Sequence, residues 1–376
     1  DLIDDNGNYL PHLLPIDQTL HWANPPGGLA HRDMMGDNPA PYVGPVPIVT
    51  HVHGAHVSQE SDGYPEAWYL PAANSIPTEY ATTGTFFDIY KATAQSGDDW
   101  QDGAVVYDYP NDQRPATIWY HDHALGMTRT NVYTGPAGFY LVRGTSPEDV
   151  AFESQLPSGN YEIPIAIQDR SFNEDGSLFY PDSRTHFDGF DGPYVPDSDI
   201  APIWNPEFFG NTIIANGNTW PYKQVEQRQY RFRFLNGSQS RTLILKLSDG
   251  SPFWQIGSDG GYLPQQVMLD ELLLGPAERA DVLIDFSAIP AGTSIILENI
   301  GPDGPYQGGI PGIDFDPADP DTTGKVMEFR VIAAAGTDPS TPASDLTMPT
   351  VTPLGSEDNI RQVSLNEEES ESPATP

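Results

Sequence analysis

The sequence predicts an all-β protein built from β-sandwiches, and three observations favour this fold class. The 376 residues include 38 prolines and 35 glycines, which indicates many turns between short segments and argues against long helices. Apolar residues alternate with polar ones in several of these segments, the period of a strand. Glycine and proline lie between the segments, as is typical of sandwiches. The length leaves room for two domains.

The clearest predicted strand contains Tyr230, Phe232 and Phe234, which alternate with Arg231 and Arg233. This alternation predicts an antiparallel strand with one buried face and one face in solvent. The same reasoning predicts strands at 161–167, 230–234, 243–247, 282–286, 295–297 and 326–331, and a weaker one at 360–365.

Changes in composition predict the domain organisation. Two stretches, 145–159 and 336–358, are polar and loop-like, and we interpret them as linkers. They separate a first domain at 1–144, a second domain at 160–335 and a last segment at 359–376. The acidic run at 367–372 in that last segment is expected to be disordered.

Two His-x-His pairs, His51 with His53 and His121 with His123, occur in a chain without cysteine. In a strand, alternate residues share a face, so both histidines of a pair point the same way with Cα atoms roughly 6–7 Å apart. Two such strands side by side would offer four imidazole nitrogens, which are common metal ligands. We therefore predict a metal site and favour a cluster over a single ion.

A zinc hydrolase is the competing interpretation of the first pair. His51, His53 and His56 form a His-x-His-x-x-His pattern that is typical of zinc sites in hydrolases. However, Ala55 stands where such hydrolases usually carry an aspartate, and the pattern leaves the second pair unexplained. We therefore place His56 outside the metal site, beside it or at the surface.

The charge of the chain restricts its partners. Lys and Arg number 17 against 53 Asp and Glu, a net charge of −36. Nucleic acids and anionic membrane surfaces should repel such a chain. It also lacks any apolar run of about 18 residues, so no membrane span is predicted. The strong acidity predicts a halophilic or marine protein that stays soluble in high salt.

Salt should therefore stabilise the fold. Like charges repel one another more strongly in the compact state, and the screening length falls from about 10 Å at 0.1 M salt to about 3 Å at 1 M. We expect thermal melts followed by circular dichroism to show a higher midpoint in molar salt than in dilute buffer. Equal midpoints would contradict the halophilic interpretation.

Further motifs follow one another along the chain in a defined order. They are LPID (14–17), HVHG (51–54), SDGYPEAW (61–68), WYHDHA (119–124), QDR (168–170), NEDGSLFYP (173–181), IGSDGG (256–261) and GPAERAD (275–281). This series resembles the multicopper oxidases, particularly the bacterial branch of spore-coat laccases and bilirubin-oxidase-like enzymes. The resemblance extends over nearly the whole chain.

The resemblance implies cupredoxin-like β-sandwiches, the first of them incomplete here, and copper as the cofactor. In this family a type 1 copper takes electrons from a phenolic or similar small-molecule reductant, and a trinuclear cluster reduces dioxygen to water. His51 matches the type 2 copper ligand, whereas His53, His121 and His123 match ligands of the type 3 pair. Asp62 matches an acidic residue thought to move protons to oxygen, and its alternative role is that of a turn residue.

The departures from the family pattern imply a fragment. The absence of cysteine excludes a type 1 site within this chain, because a thiolate defines such sites. The other cluster ligands come from the third domain in the family. We therefore expect most of domain one, all of domain two and the first strand of domain three. Such a piece would be inactive without the missing amino- and carboxyl-terminal portions of the same oxidase.

Two expectations remain open at this point. The resemblance favours an extracellular, cell-surface or periplasmic location, with the signal region outside this chain. The alternative to a piece of an oxidase is a non-enzymatic copper-binding or inert β-sandwich protein. A His-Cys-His segment further along the reading frame would distinguish the oxidase from this alternative.

Overall fold

The computed structural model of the chain describes residues 2–38, 40–181, 207–353 and 355–364. Strands predominate in these ranges, and the prediction of an all-β fold is confirmed. The helices are α1 (Gly28–His31), α2 (Phe87–Thr93), α3 (Thr128–Tyr133) and α4 (Pro147–Glu153). In the described part of the chain, no helix has the length and apolar character needed to cross a lipid bilayer.

The first sheet has three antiparallel strands, and we call it the histidine sheet. Its strands are β1 (Thr50–His53), β2 (Ala116–Asp122) and β3 (Ala137–Val142), in that spatial order. The register places His51 directly opposite His121 on the neighbouring strand. The two His-x-His pairs are therefore side by side, as predicted. His123 lies one residue beyond the end of β2, where its N–H donates to the Val49 carbonyl oxygen at 2.8 Å.

Two larger sheets form what we call the sandwich. One sheet has the order β13-β10-β15-β16-β8, and the other has the order β12-β11-β14-β9-β4-β6-β7, with β5 paired to β4. The strands are β4 (Glu162–Phe172), β5 (Leu178–Phe179), β6 (Thr212–Ala215), β7 (Asn218–Thr219), β8 (Tyr222–Glu226), β9 (Gln229–Asn236), β10 (Leu243–Leu247), β11 (Phe253–Ser258), β12 (Gly261–Leu269), β13 (Leu272–Leu274), β14 (Arg279–Asp285), β15 (Ser294–Asn299) and β16 (Lys325–Ile332).

The largest apolar core lies between these two sheets. Phe232 of β9 packs against Phe329 of β16 with ring centroids 5.1 Å apart, which joins one sheet to the other. Alternate residues of both sheets point into this core, including Leu243, Leu245 and Leu247. The six stronger strand predictions from apolar periodicity are therefore confirmed, in β4, β9, β10, β14, β15 and β16.

The expectation that β9 is half-buried and purely antiparallel is wrong. Every residue of β9 is buried, and it pairs parallel with β4 but antiparallel with β14. Arg231 and Arg233 are only 1% and 2% exposed, although alternation placed them in solvent. They are buried because the outer face of β9 is covered by carboxylates and by the histidine sheet. Charged residues tolerate such burial when they are paired.

The predicted loop at 145–159 is wrong in part, because it contains α4. Ser146 caps this helix by accepting a hydrogen bond from the Asp149 N–H at 3.1 Å, and Pro147 occupies the first helical turn, which it favours. Phe152 and Leu156, four residues apart, are buried against Ile256 and Tyr262 of the sandwich. The domain boundaries at these positions remain predictions.

The weaker strand predicted at 360–365 does not form in its described part. Residues 360–364 have no regular secondary structure and no strand pairing, and Ile360 and Val363 are 83% and 87% exposed. A strand requires a hydrogen-bonded neighbour, and no described residue pairs with this segment. The acidic run at 367–372 lies outside the described residues.

Candidate metal centre

The histidine sheet brings all four predicted metal ligands to one place. The His51 ring centroid lies 5.5 Å from that of His53, 5.3 Å from that of His121 and 5.2 Å from that of His123. The ligand nitrogens of His51, His53 and His121 all lie within 4.8 Å of one another. The alternating geometry of the paired strands produces this cluster, because each pair shares a face and the register aligns the two pairs.

Hydrogen bonds select which nitrogen of two rings is available. His51 Nδ1 donates to the backbone carbonyl oxygen of Asp62, and His121 Nδ1 donates to the carbonyl oxygen of Asp122 at 2.7 Å. In the neutral tautomer that these hydrogen bonds favour, Nε2 of each ring is the nitrogen without a proton. His53 Nδ1 lies 3.3 Å from His121 Nε2, so these two nitrogens point towards each other. Such outer hydrogen bonds orient metal-binding imidazoles.

The surroundings keep the rings of His53, His121 and His123 neutral. Burial, followed by the charge of nearby Arg279, lowers the pKa of His53 to about 4. Burial also lowers the pKa of His121 to about 4 and lowers the pKa of His123. Because the pKa of each of these three rings is lowered from the ordinary value for histidine, all three are unprotonated at neutral pH. An unprotonated ring nitrogen is the form that binds metal ions.

Trp119 forms one wall of the cluster. Its ring centroid lies 4.4 Å from that of His121 and 5.5 Å from that of His53. Trp119 is 5% exposed, so it shields one side of both imidazoles from water. Trp119 and His121 are two residues apart in β2 and therefore lie on the same face of the strand. Their spacing in the motif WYHDHA predicts this arrangement.

Asp122, between the second pair of histidines, fastens the two strands together. Its Oδ1 accepts the Val49 N–H at 2.9 Å, and its Oδ2 accepts the Ala124 N–H and the Asn131 Nδ2 at 2.9 Å each. Burial raises the pKa of Asp122 to about 6, although these donors oppose the rise. Sequence reasoning missed this role. Asp122 lies between His121 and His123, so strand alternation points its side chain away from the histidine rings, and this position could have indicated a structural role.

Asp62 lies at the edge of the cluster. Its Oδ1 is 3.3 Å from His51 Nδ1, and its side chain is 51% exposed. The adjacent Gly63 makes this approach possible. It has φ +81°, and a Cβ at that position would lie 2.2 Å from the Thr50 carbonyl oxygen. Asp62 therefore connects His51 to solvent.

The sandwich supports the histidine sheet through two arginines. Arg279 Nε donates to the Thr117 carbonyl oxygen at 2.9 Å, and Arg233 Nη1 donates to the Thr117 hydroxyl at 2.5 Å. Thr117 belongs to β2, four residues before His121. No sequence pattern indicates this contact, because the two arginines are 162 and 116 residues away from Thr117.

His56 takes no part in the cluster. It is exposed, and its backbone N–H donates to the Gln113 side chain at 2.9 Å. The group of possible metal ligands contains His51, His53 and His121 without His56. The geometry therefore does not favour the His-x-His-x-x-His pattern of a zinc hydrolase.

The residues present fit a metal that prefers nitrogen ligands. The donor set consists of imidazoles, which suit copper and other borderline metals. His123 Nδ1 is buried and has no hydrogen-bond partner among the described residues, an arrangement that a bound cation would satisfy. The separation of 3.3 Å between His53 Nδ1 and His121 Nε2 permits both to bind one ion at about 2.0–2.1 Å, the usual zinc–imidazole distance.

Comparison with known proteins places the chain in a family. It is 40% identical over 326 residues to a laccase of Bacillus subtilis strain 168, a match that covers 86% of this chain and 52% of that protein. The chain belongs to the multicopper oxidase family. A laccase of Haloferax volcanii is 33% identical over 356 residues, covering 91% of this chain and 48% of that protein. The chain spans about half the length of these curated relatives.

Solved structures agree with this placement. The McoA multicopper oxidase of the hyperthermophile Aquifex aeolicus has a TM-score of 0.56 and 28% identity, covering 83% of this chain and 55% of that one. A multicopper oxidase of Pediococcus acidilactici has a TM-score of 0.54 and 25% identity, covering 84% of this chain and 51% of that one. The expected cupredoxin-like fold is confirmed. No protein-family model matches the chain.

Proposed function

We propose that this chain is part of a laccase-like multicopper oxidase, which couples one-electron oxidation of a phenolic or similar small-molecule reductant to the reduction of dioxygen to water. The convergence of four histidine rings carries this proposal, in a chain whose relatives are named laccases. Copper, when bound by these rings, would supply the electron transfer to dioxygen. The protein residues supply ligands, orientation and protons.

The ligand assignment is also proposed. His53 and His121 would share one type 3 copper, because their facing nitrogens are 3.3 Å apart. His123 would bind the other type 3 copper. His51 would bind the type 2 copper, since its hydrogen bond to Asp62 directs Nε2 to the cluster. The type 1 copper would be held outside this chain, which has no cysteine.

The remaining ligands would come from the third domain, in the carboxyl-terminal portion of the same oxidase. All four histidines here come from β1 and the end of β2, so they approach a cluster from one side only. A stable multinuclear site requires ligands that close its other side. We further propose that the complete oxidase functions outside the cytoplasm, at the cell surface or in the periplasm.

Asp62 would move protons between solvent and the cluster. Its carboxylate is half exposed and reaches His51 Nδ1 at 3.3 Å, so it contacts water and the ligand shell together. A carboxylate in contact with water can exchange protons with it and so relay them. The position of Asp62 is maintained by the close approach of Gly63 to β1.

The isolated chain should bind copper without acting as an oxidase. We expect the 376-residue chain to bind copper through its histidine rings, yet to lack the blue absorption of a copper thiolate and to leave phenols unoxidised. His121→Ala should lower copper affinity by at least about tenfold, because ligand loss costs at least as much as loss of an outer hydrogen bond. His56→Ala, at an exposed histidine outside the cluster, is the matched control.

Joining the missing portions to this chain should restore blue absorption and oxidase activity together. Phenol oxidation by the copper-loaded chain alone would refute the proposal. Equal copper affinities for the His121→Ala and His56→Ala proteins would refute the ligand assignment. A joined protein that binds copper but never oxidises phenols would instead support the non-enzymatic alternative.

Asp62→Asn should slow oxygen reduction by the joined oxidase while leaving its copper content unchanged. The amide has nearly the same shape but cannot exchange protons, and a positioned proton donor typically contributes about 10²–10⁴-fold to a rate. The measurement is the pH profile of oxygen consumption, compared with copper content by atomic absorption. An unchanged profile would leave Asp62 as a turn residue only.

A further inference from the structure

A second set of metal-binding atoms lies at the end of α1 and on the loop that follows it. His31 Nδ1 is 3.3 Å from the sulfur of Met34. His31 is exposed, and Met34 and Met35 are 51% and 56% exposed. Methionine is more often buried than exposed, so an exposed thioether in contact with an imidazole needs an explanation. None of these residues belongs to the four-histidine cluster.

Buried side chains hold the backbone of this loop in place. Asn24, which is 5% exposed, donates from Nδ2 to the carbonyl oxygens of Met34 at 2.9 Å and His31 at 3.3 Å. The carboxylate of buried Asp33 accepts the Trp68 Nε1 at 2.5 Å and the Thr85 N–H at 2.8 Å. The loop therefore presents His31 and Met34 from a fixed backbone, which lowers the entropy lost on binding a ligand.

The donor types select the ion. Thioether sulfur is a soft ligand that prefers Cu(I), whereas hard divalent ions prefer oxygen ligands. An imidazole and a thioether whose donor atoms are 3.3 Å apart can bind one ion at bond lengths of about 2.0–2.3 Å. The net charge of −36 raises the local concentration of cations around the whole molecule.

We infer that His31 and Met34 form a surface site for a soft monovalent metal ion, Cu(I). This site differs from the four-histidine cluster in its loop, its donor set and its preferred oxidation state. It binds the ion without any redox step. In the absence of the ion, the His31 ring donates a weak hydrogen bond to the Met34 sulfur.

Methyl resonances of methionine test this inference directly. The full chain contains six methionines, which can be labelled with ¹³C at the methyl group and titrated with Ag(I), a redox-inactive substitute for Cu(I). We expect the Met34 methyl resonance, assigned from its loss in Met34→Leu, to shift at the first additions. Met268 is the control, because it is 58% exposed in β12 and lies outside this loop.

His31→Ala should weaken the Ag(I) response of Met34 by at least about tenfold, because it removes one ligand. Met268→Leu should leave that response unchanged, and an anaerobic Cu(I) titration should give the same order of affinities. The inference would be overturned if Met34 and Met268 shifted at the same Ag(I) concentration, or if His31→Ala left the Met34 response unchanged. The readout is independent of oxidase activity, so failure of the proposed function would not affect it.

Discussion

Asp281→Ala should lower the free energy of unfolding by about 3–5 kcal/mol, because it leaves buried arginines without their counter-ion. Asp281 Oδ1 accepts Arg231 Nε at 2.8 Å, and its Oδ2 accepts Arg231 Nη2 at 2.5 Å and lies 3.2 Å from Arg233 Nη1. The three side chains are 5% exposed or less. Among the described residues, Glu162 is the other carboxylate paired with these arginines, 2.6 Å from Arg233 Nε. It cannot neutralise both arginines.

Urea unfolding at neutral pH gives the free energy for this test. The matched control is Asp321→Ala, which breaks the ion pair of Asp321 with Lys325 at 3.3 Å. The Asp321 side chain is 90% exposed, so its loss should cost no more than about 1 kcal/mol. Both variants remove one negative charge. Equal losses would show that the buried pair contributes no more than a surface pair.

The pH dependence of Asp281→Ala has a defined sign. Burial raises the pKa of Asp281, but Arg231 and Arg233 outweigh burial and hold it below the usual 3.8. A carboxylate with a depressed pKa stabilises the fold above its unfolded pKa, and that contribution is lost as the pH falls through the folded value. The difference between wild type and variant should therefore shrink below about pH 4.

Asp122→Ala should lower the free energy of unfolding by at least about 3 kcal/mol at pH 5, because three buried donors lose their acceptor at about 1–3 kcal/mol each. The donors are the N–H groups of Val49, Ala124 and the Asn131 side chain. Copper affinity should also fall, since Val49 and Ala124 flank the histidine pairs. Urea unfolding and copper titration measure the two effects.

The pH trend of Asp122→Ala should be opposite to that of Asp281→Ala. The folded pKa of Asp122 is raised to about 6, so its contribution to stability is greatest below the unfolded pKa of 3.8 and falls as the pH rises through about 6. The cost of the substitution should therefore be larger at pH 5 than at pH 7. Asp62→Ala is the control in the same site, because its exposed carboxylate should change stability little. Equal costs for the two variants would contradict the fastening role of Asp122.

Local patterns predicted the features that depend on neighbouring residues. The alternation of Tyr230, Phe232 and Phe234 predicted β9, and the two His-x-His pairs predicted rings on a shared strand face. The helix α4 was also predictable, since Ser146-Pro147 is a common helix start and Phe152 lies four residues before Leu156.

Distant contacts explain what sequence reasoning missed. The burial of Arg231 depends on Asp281, 50 residues away, and the support of Thr117 depends on Arg279, 162 residues away. Alternation assigns a charged residue to solvent unless its partner is known. The burial of Asp122 likewise depends on Val49, which pairs with it across 73 residues.

The arginine contacts to Thr117 make the histidine sheet and the sandwich a single cooperative unit. Opening of β2 alone would expose the Arg279 and Arg233 guanidinium groups, which lose their partners on Thr117 when the strand leaves. Unfolding of both parts together then requires less free energy than opening of β2 alone. Amide hydrogens of β2 would exchange only through global unfolding, and the ligand geometry would persist for as long as the sandwich remains folded.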